Sequence, residues 1–365
     1  MNGRAMVLEQ FRAPLVQKTF PFPRLAEGEV LVKITAAGVC GSDVHMWEGK
    51  DPRVKLPMIL GHEGVGEIVD IKGKVTDLFS KPLNVGDTIL WNRGVSCGRC
   101  YFCQIVREPS LCSNRWVYGI HTTSAEPPYL TGNYSEYLLL AAGTTLFSIE
   151  TPVDHAVLVS ASCSGATVAH AFETFPVKPG DTVLVQGPGP LGIFSVAFAK
   201  AQGASKIIVI GGSKNRLELC EAFGATHLLN RKKTTLPERL ETLLELTRGL
   251  GVDVAYEMAG EPEAIEEGIP LVRTGGGYVT AGFGEPRGQV TLNWFQAIAR
   301  RNIHLHGIWV SDSRHTWMAL QLMLHNPSLF EKMVTHRFPL EEANAALKSM
   351  ATREALKAVL IPHHR

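Results

Sequence analysis

Apolar positions follow two regimes along this chain. In the first third they form short runs broken by glycine and proline, such as Val30-Leu31-Val32-Lys33-Ile34, residues 66–71 and residues 87–91. These runs predict strands, and no long helical period accompanies them. The pattern changes near Ser162. Residues 182–185, Thr-Val-Leu-Val, are an apolar strand, and Pro190 to Gln202 reads as a helix. Then come a strand at 206–210, a helix at 214–223, a strand at 227–229 and a helix at 237–246. A strand at 252–256, a helix at 262–272 and a strand at 277–281 follow. Strands alternating with helices predict a parallel, doubly wound α/β sheet. The tail returns to mixed character, with a helix at 340–350 and a last strand at 357–361.

Composition narrows this picture by exclusion. The 365 residues are enough for two cores, and 45% hydrophobic with 19% charged residues is ordinary for a globular protein. A net charge of +1 argues against a surface for nucleic acid or acidic membranes. Residues 1–11 lack the apolar centre of a signal peptide. The longest apolar stretch, Val183 to Ala199, is broken by Gly187, Pro188, Gly189, Pro190 and Gly192, so no membrane span is expected. Seven cysteines, an odd number, fit metal binding in a reducing cytosol better than disulfides.

Four of those cysteines, Cys97, Cys100, Cys103 and Cys112, lie within sixteen residues. Thiolates so spaced converge on one tetrahedral zinc and leave it no open position, so this site is structural. Cys40 and His62 are a second pair of zinc-type donors, and Cys163 is the best candidate for a third. Two thiolates and an imidazole leave one coordination position open for a Lewis acid to work. For Cys163 alone, a small buried core residue is the competing reading. Cys220 lies in a predicted helix without donor neighbours and reads as core, and His155, His170 and His227 have no ligand spacing.

Gly187-Pro188-Gly189-Pro190-Leu191-Gly192 stands between a predicted strand and a predicted helix, the setting of a dinucleotide loop. There Gly187 allows the turn, Gly189 the approach of a diphosphate and Gly192 close helix–strand packing, while Pro190 suits the first helical turn. After the second strand, the place of the acid that binds the ribose of NAD is taken by Gly211. Ser213, Lys214 and Arg216 follow and could hold a 2′-phosphate, which favours NADP over NAD. The alternative is that Lys214 and Arg216 only solvate the first helical turn.

With these motifs in view the chain resembles the zinc-dependent medium-chain alcohol dehydrogenases over nearly its whole length. The resemblance is carried by residues 38–45 and 61–66, the four-cysteine lobe, the loop at 187–192, and the ending Glu354-Ala-Leu-Lys-Ala-Val-Leu360. It implies a Rossmann domain at 163–307 inside a split, mainly β, GroES-like catalytic domain at 1–162 and 308–365, with the structural zinc lobe at about 92–115. It also implies roles. Cys40, His62 and Cys163 would hold a catalytic zinc, with Glu63 or water as fourth ligand. Asp43 would orient His62, Ser42 would take the substrate proton, and His45 would end the relay. Eight residues separate Cys103 from Cys112 where seven is common.

The family lines its substrate pocket near Trp91, Asn92 and Arg93, and Trp47 follows the relay histidine. Asn92 and Arg93 point to a polar or anionic substrate, a polyol or an alcohol bearing carboxylate or phosphate. The competing reading pairs Arg93 with a protein carboxylate and makes Trp91 core. Three functional readings remain: an NAD(P)-dependent alcohol dehydrogenase acting on a small alcohol or carbonyl, an NAD-dependent polyol dehydrogenase, and a non-catalytic zinc- and nucleotide-binding protein. The family implies a homodimer or homotetramer, with the segment at 302–309 as the sheet edge.

Overall fold

The computed structural model describes residues 1–363. By its internal contacts the chain divides into two compact units, Met1–Cys163 with the segment from Ser311 onward, and Ser164–Val310. These limits differ slightly from the boundaries expected from sequence. Cys163 is held by sulfur and nitrogen contacts to Cys40 and His62, and Ser311 O accepts a hydrogen bond from Arg115, so both belong with the first unit.

The second unit is a parallel sheet of six strands with the spatial order His227–Asn230, Lys206–Gly211, Thr182–Gln186, Val252–Glu257, Val272–Thr280, His304–Gly307. Numbered within the unit, that is 3-2-1-4-5-6, the Rossmann order. The near-continuous apolar runs read from the sequence follow from burial of both faces. Phe172 stacks on Tyr256 at a centroid distance of 4.0 Å, and the Tyr256 hydroxyl donates to Phe175 O.

The first unit is built on one long strand, Val30–Val39. Its neighbours are Glu63–Ile71, Tyr137–Leu140 and Ala358–Ile361, all antiparallel to it. Two registers matter: Gly38 lies opposite Glu63, and Val39 lies opposite Ala358. They bring the end of one strand, the start of the next and the approach to the last strand to the same place. Cys40, His62, Glu63 and Lys357 are therefore neighbours although the sequence scatters them. Gly38 is required here, because a β-carbon on it would fall 2.1 Å from Glu63 Oε2. Helices that the sequence reading did not predict include Gly41–Trp47, Ser164–Thr174 and Ser313–His325. The expected helix at 340–350 begins instead as a 3₁₀ turn, Leu340–Glu342, and continues as Ala343–Ala351.

Glu63 and Lys357 form an ion pair with both side chains essentially fully buried. Such a pair is worth little against an apolar replacement but is costly to break on one side. Lys357→Met should therefore destabilise the protein by about 3–5 kcal/mol, and the Glu63→Gln/Lys357→Met double variant should recover much of that loss. Urea denaturation of the two variants checks this, and equal losses in both would contradict it.

Candidate metal centre and cofactor loop

Cys40 ends the long strand and caps the short helix Gly41–Trp47. His62 immediately precedes the strand Glu63–Ile71, and Cys163 follows the 3₁₀ turn Val159–Ser162. The Cys40 and Cys163 sulfurs are 3.8 Å apart, and His62 Nε2 is 3.3 Å from Cys163 Sγ. One donor atom from each of Cys40, His62, Cys163 and Glu63 falls within 4.8 Å of all the others.

Asp43 arranges this group from the first turn of the short helix. Its Oδ2 accepts from the Cys40 N–H at 2.8 Å and from the Tyr134 hydroxyl at 3.3 Å, while its Oδ1 faces His62 Nδ1 at 3.3 Å. A carboxylate at Nδ1 fixes the ring and leaves Nε2 to face the sulfurs, the usual arrangement behind a metal-bound imidazole. Burial opposes charge on His62, yet Asp43 and then Cys40 push it up to about 9. The hydrogen bond between the sulfurs holds Cys40 well below the ordinary thiol range and drives Cys163 well above it, so the pair shares a proton. Glu63 Oε1 is buried with no hydrogen-bond partner. Two sulfurs competing for one proton, a fixed imidazole and an unsatisfied carboxylate oxygen fit a divalent ion of the zinc type, which would replace that proton.

Ser42 Oγ lies 3.8 Å from Cys40 Sγ, and His45 stands three residues further on the same helix. At that spacing the two side chains share one helix face. Arg93 is buried, and its Nη1 donates to Cys163 Sγ at 3.0 Å. The other pocket candidates have structural duties. Trp91 is wholly enclosed in the hydrophobic core, the competing reading left open by the sequence. Trp47 packs on the same core and donates its indole N–H to Ala13 O. Asn92 spends its amide on Gly94 O and accepts from the Thr316 hydroxyl. Cys220 is fully buried in its helix, as expected of a core residue.

The four lobe cysteines also converge. Sulfur separations are 3.5 Å for Cys100–Cys103, 3.8 Å for Cys100–Cys112 and 3.5 Å for Cys97–Cys112. Hydrogen bonds from the Arg99 N–H and the Asn114 amide pull Cys97 down to about 6, which favours its thiolate. Four thiols and no other donor in the cluster fit a closed tetrahedral zinc site.

In the second unit Gly187 has φ +100°, and a β-carbon on Gly192 would fall 1.9 Å from Gly187 O. Helix Pro190–Ala201 thus packs directly against the loop that follows strand Thr182–Gln186. Gly189 has open space where its side chain would be, the room a diphosphate needs beside a helix N-terminus. A β-carbon on Gly211 would lie 2.4 Å from Pro188 Cγ. The loop proline therefore leaves little room for a side chain at position 211. Ser213 caps the next helix and Lys214 is an exposed partner of Glu218 at 3.4 Å. Arg231 and Lys232, which the sequence reading did not single out, flank the same corner: a β-carbon on Gly212 would lie 3.4 Å from Arg231 Nε and 3.3 Å from Lys232 Cε.

Comparison with known proteins agrees with this geometry. Residues 26–151 match the alcohol dehydrogenase GroES-like domain, and residues 190–325 match the zinc-binding dehydrogenase model. Sorbitol dehydrogenase of Bacillus subtilis is 31% identical, over 99% of this chain and 98% of its own. An alcohol dehydrogenase structure from Thermotoga maritima superposes with a TM-score of 0.97 at 46% identity, covering 100% of both chains. A putative zinc-binding dehydrogenase from Sinorhizobium meliloti, bound to NADP, gives a TM-score of 0.86 at 26% identity, covering 99% of this chain and 100% of its own. The chain belongs to the zinc-dependent medium-chain dehydrogenases and is an NAD(P)-dependent alcohol dehydrogenase of that family.

Proposed function

We propose that the chain interconverts a small alcohol and its aldehyde or ketone, with one catalytic and one structural zinc and with NADP as the favoured cofactor. The observation that carries this reading is the convergence of Cys40, His62 and Cys163 in one buried place, with Asp43 behind the imidazole. Bound there, zinc supplies the Lewis acidity that makes an alcohol hydroxyl acidic near neutral pH, and the nicotinamide ring supplies the hydride acceptor. The alcohol loses one hydride to the cofactor and one proton to solvent, and the carbonyl product forms. Cys40, His62 and Cys163 would hold the ion, with Glu63 or water as a further donor. Ser42 receives the proton and His45, one helical turn on, carries it toward solvent. Asp43 keeps the His62 ring in the orientation that presents Nε2.

The NADP preference rests on the missing acid at Gly211 and on the positive corner formed by Lys214, Arg216, Arg231 and Lys232. A relative of the same fold is bound to NADP, which supports this reading. A polyol is the second substrate reading, favoured by the sorbitol dehydrogenase likeness. The sheet ends at strand His304–Gly307, and we assign that edge to contact with a second copy in a homodimer or homotetramer. All seven cysteines are free, which matches a reducing compartment such as the cytoplasm; among the described residues no helix is long and apolar enough to cross a membrane.

Cys40→Ser should give a folded protein that still binds NADP, carries one zinc fewer per chain, and turns over at least about 100-fold more slowly. Metal analysis with initial rates measures this, and full activity would break the assignment. Replacing Ser213, Lys214 and Arg216 together by Ala should raise the KM for NADP by about tenfold or more while leaving that for NAD within about twofold. Equal effects on both cofactors would remove the 2′-phosphate role.

A further inference from the structure

Arg93, which touches Cys163, belongs to a group of basic side chains. Strand Gly94–Val95 pairs antiparallel with Trp116–Val117, and the Tyr118 N–H donates to Arg93 O at 3.1 Å across the same ribbon. The ribbon sets Arg93 and Arg115 together, since a β-carbon on Gly94 would lie 2.4 Å from Arg115 Nη2. His121 joins them through its N–H bond to Val117 O at 3.1 Å. Burial, then the charge of Arg93, then that of Arg53 pull Arg115 down to about 10. Burial, Arg53 and Arg115 lower His121 in the same way.

The counter-charges in this region are already committed. Asp51 grips Arg53 through two hydrogen bonds, at 2.8 and 2.5 Å. Asp312 accepts from the Arg314 N–H and pairs with the Arg314 side chain and with His315. Arg115 donates to Ser311 O at 3.3 Å, and Arg93 to Cys163 Sγ. Among the described residues neither Arg93 nor Arg115 has a carboxylate at ion-pair distance. Arg93 is only 7% exposed, and its Nε, His121 Nδ1 and Ser311 Oγ are buried without hydrogen-bond partners. Neutral hydroxyls could fill hydrogen bonds here but could not relieve repulsion between guanidinium groups. A planar or tetrahedral oxyanion does both, and the guanidinium fork matches it.

We infer that Arg93, Arg115 and His121 receive a carboxylate or phosphate of the substrate, so that the alcohol oxidised at the centre Arg93 touches carries an oxyanion. This deepens, and rests on, the alcohol dehydrogenase reading of that centre. Arg93 spans the two, with one nitrogen on Cys163 and another without a partner.

The test uses the zinc-loaded enzyme as wild type, Arg115→Gln, Arg93→Gln and the charge-keeping Arg115→Lys. Rates are compared within matched pairs: 3-hydroxybutyrate against 2-butanol for the carboxylate, and glycerol 3-phosphate against 1,2-propanediol for the phosphate. The wild type should favour the anionic member of at least one pair by about tenfold or more in kcat/KM, and Arg115→Gln should lose most of that preference, chiefly through KM. Thermal unfolding with added inorganic phosphate gives a readout independent of turnover. Phosphate should raise the wild-type Tm, should not raise that of Arg115→Gln or Arg93→Gln, and should still raise that of Arg115→Lys. Equal rates within both pairs, or a phosphate shift unchanged in the Gln variants, would overturn the oxyanion site and leave the alcohol dehydrogenase reading standing. Absence of turnover on every alcohol would instead count against that reading, and the phosphate shift would still decide the anion site.

Discussion

Two sulfurs and an imidazole nitrogen within 4.8 Å of one another in a protein interior are the constraint on which the first unit depends. Left to themselves they compete for a proton, and each remaining polar atom carries a desolvation cost. The strand registers that create the cluster are the same ones that define the sheet: Gly38 opposite Glu63, and Val39 opposite Ala358. A slip of either strand would scatter the donors and turn apolar side chains to the wrong face. Fold and chemistry are therefore specified by one set of backbone hydrogen bonds.

Charge around the centre is arranged in layers. Asp43 and Glu63 bring negative charge to the histidine side, and Lys357 answers Glu63 across the sheet. Arg93 brings positive charge to the Cys163 side. In the second unit the comparable choice is steric. Pro188 fills the space that a side chain at position 211 would occupy, and Arg231 and Lys232 flank the adjoining turn.

Much of this was legible in the sequence because it depended on local spacing. The alternation of apolar runs gave the parallel sheet, and the glycine loop fell between its strand and helix as expected. The four-cysteine lobe needs only a short stretch of chain to close, and its sulfurs meet. What escaped had no local signal. The helix carrying Ser42 and His45 is seven residues long, too short for an apolar period to emerge. Lys357 was visible only as a charge inside the apolar ending 355–360, which fits a buried ion pair, but nothing nearby named Glu63 as its partner. Arg115 and His121 become meaningful only when the ribbon beside the lobe places them next to Arg93. Position next to functional residues gives Trp91 and Trp47 a pocket role in the sequence, and the structure shows Trp91 enclosed in the core and Trp47 bonded to Ala13 O.

The central claim is that this chain holds a metal at a corner made of two thiolates and one imidazole, separate from the closed four-thiolate site. X-ray absorption at the zinc edge of the purified protein tests it most directly. With both sites filled, the average zinc should show about three sulfur ligands near ~2.3 Å and about one nitrogen or oxygen near ~2.0–2.1 Å. A single zinc per chain with four sulfur ligands and no nitrogen or oxygen would contradict the account.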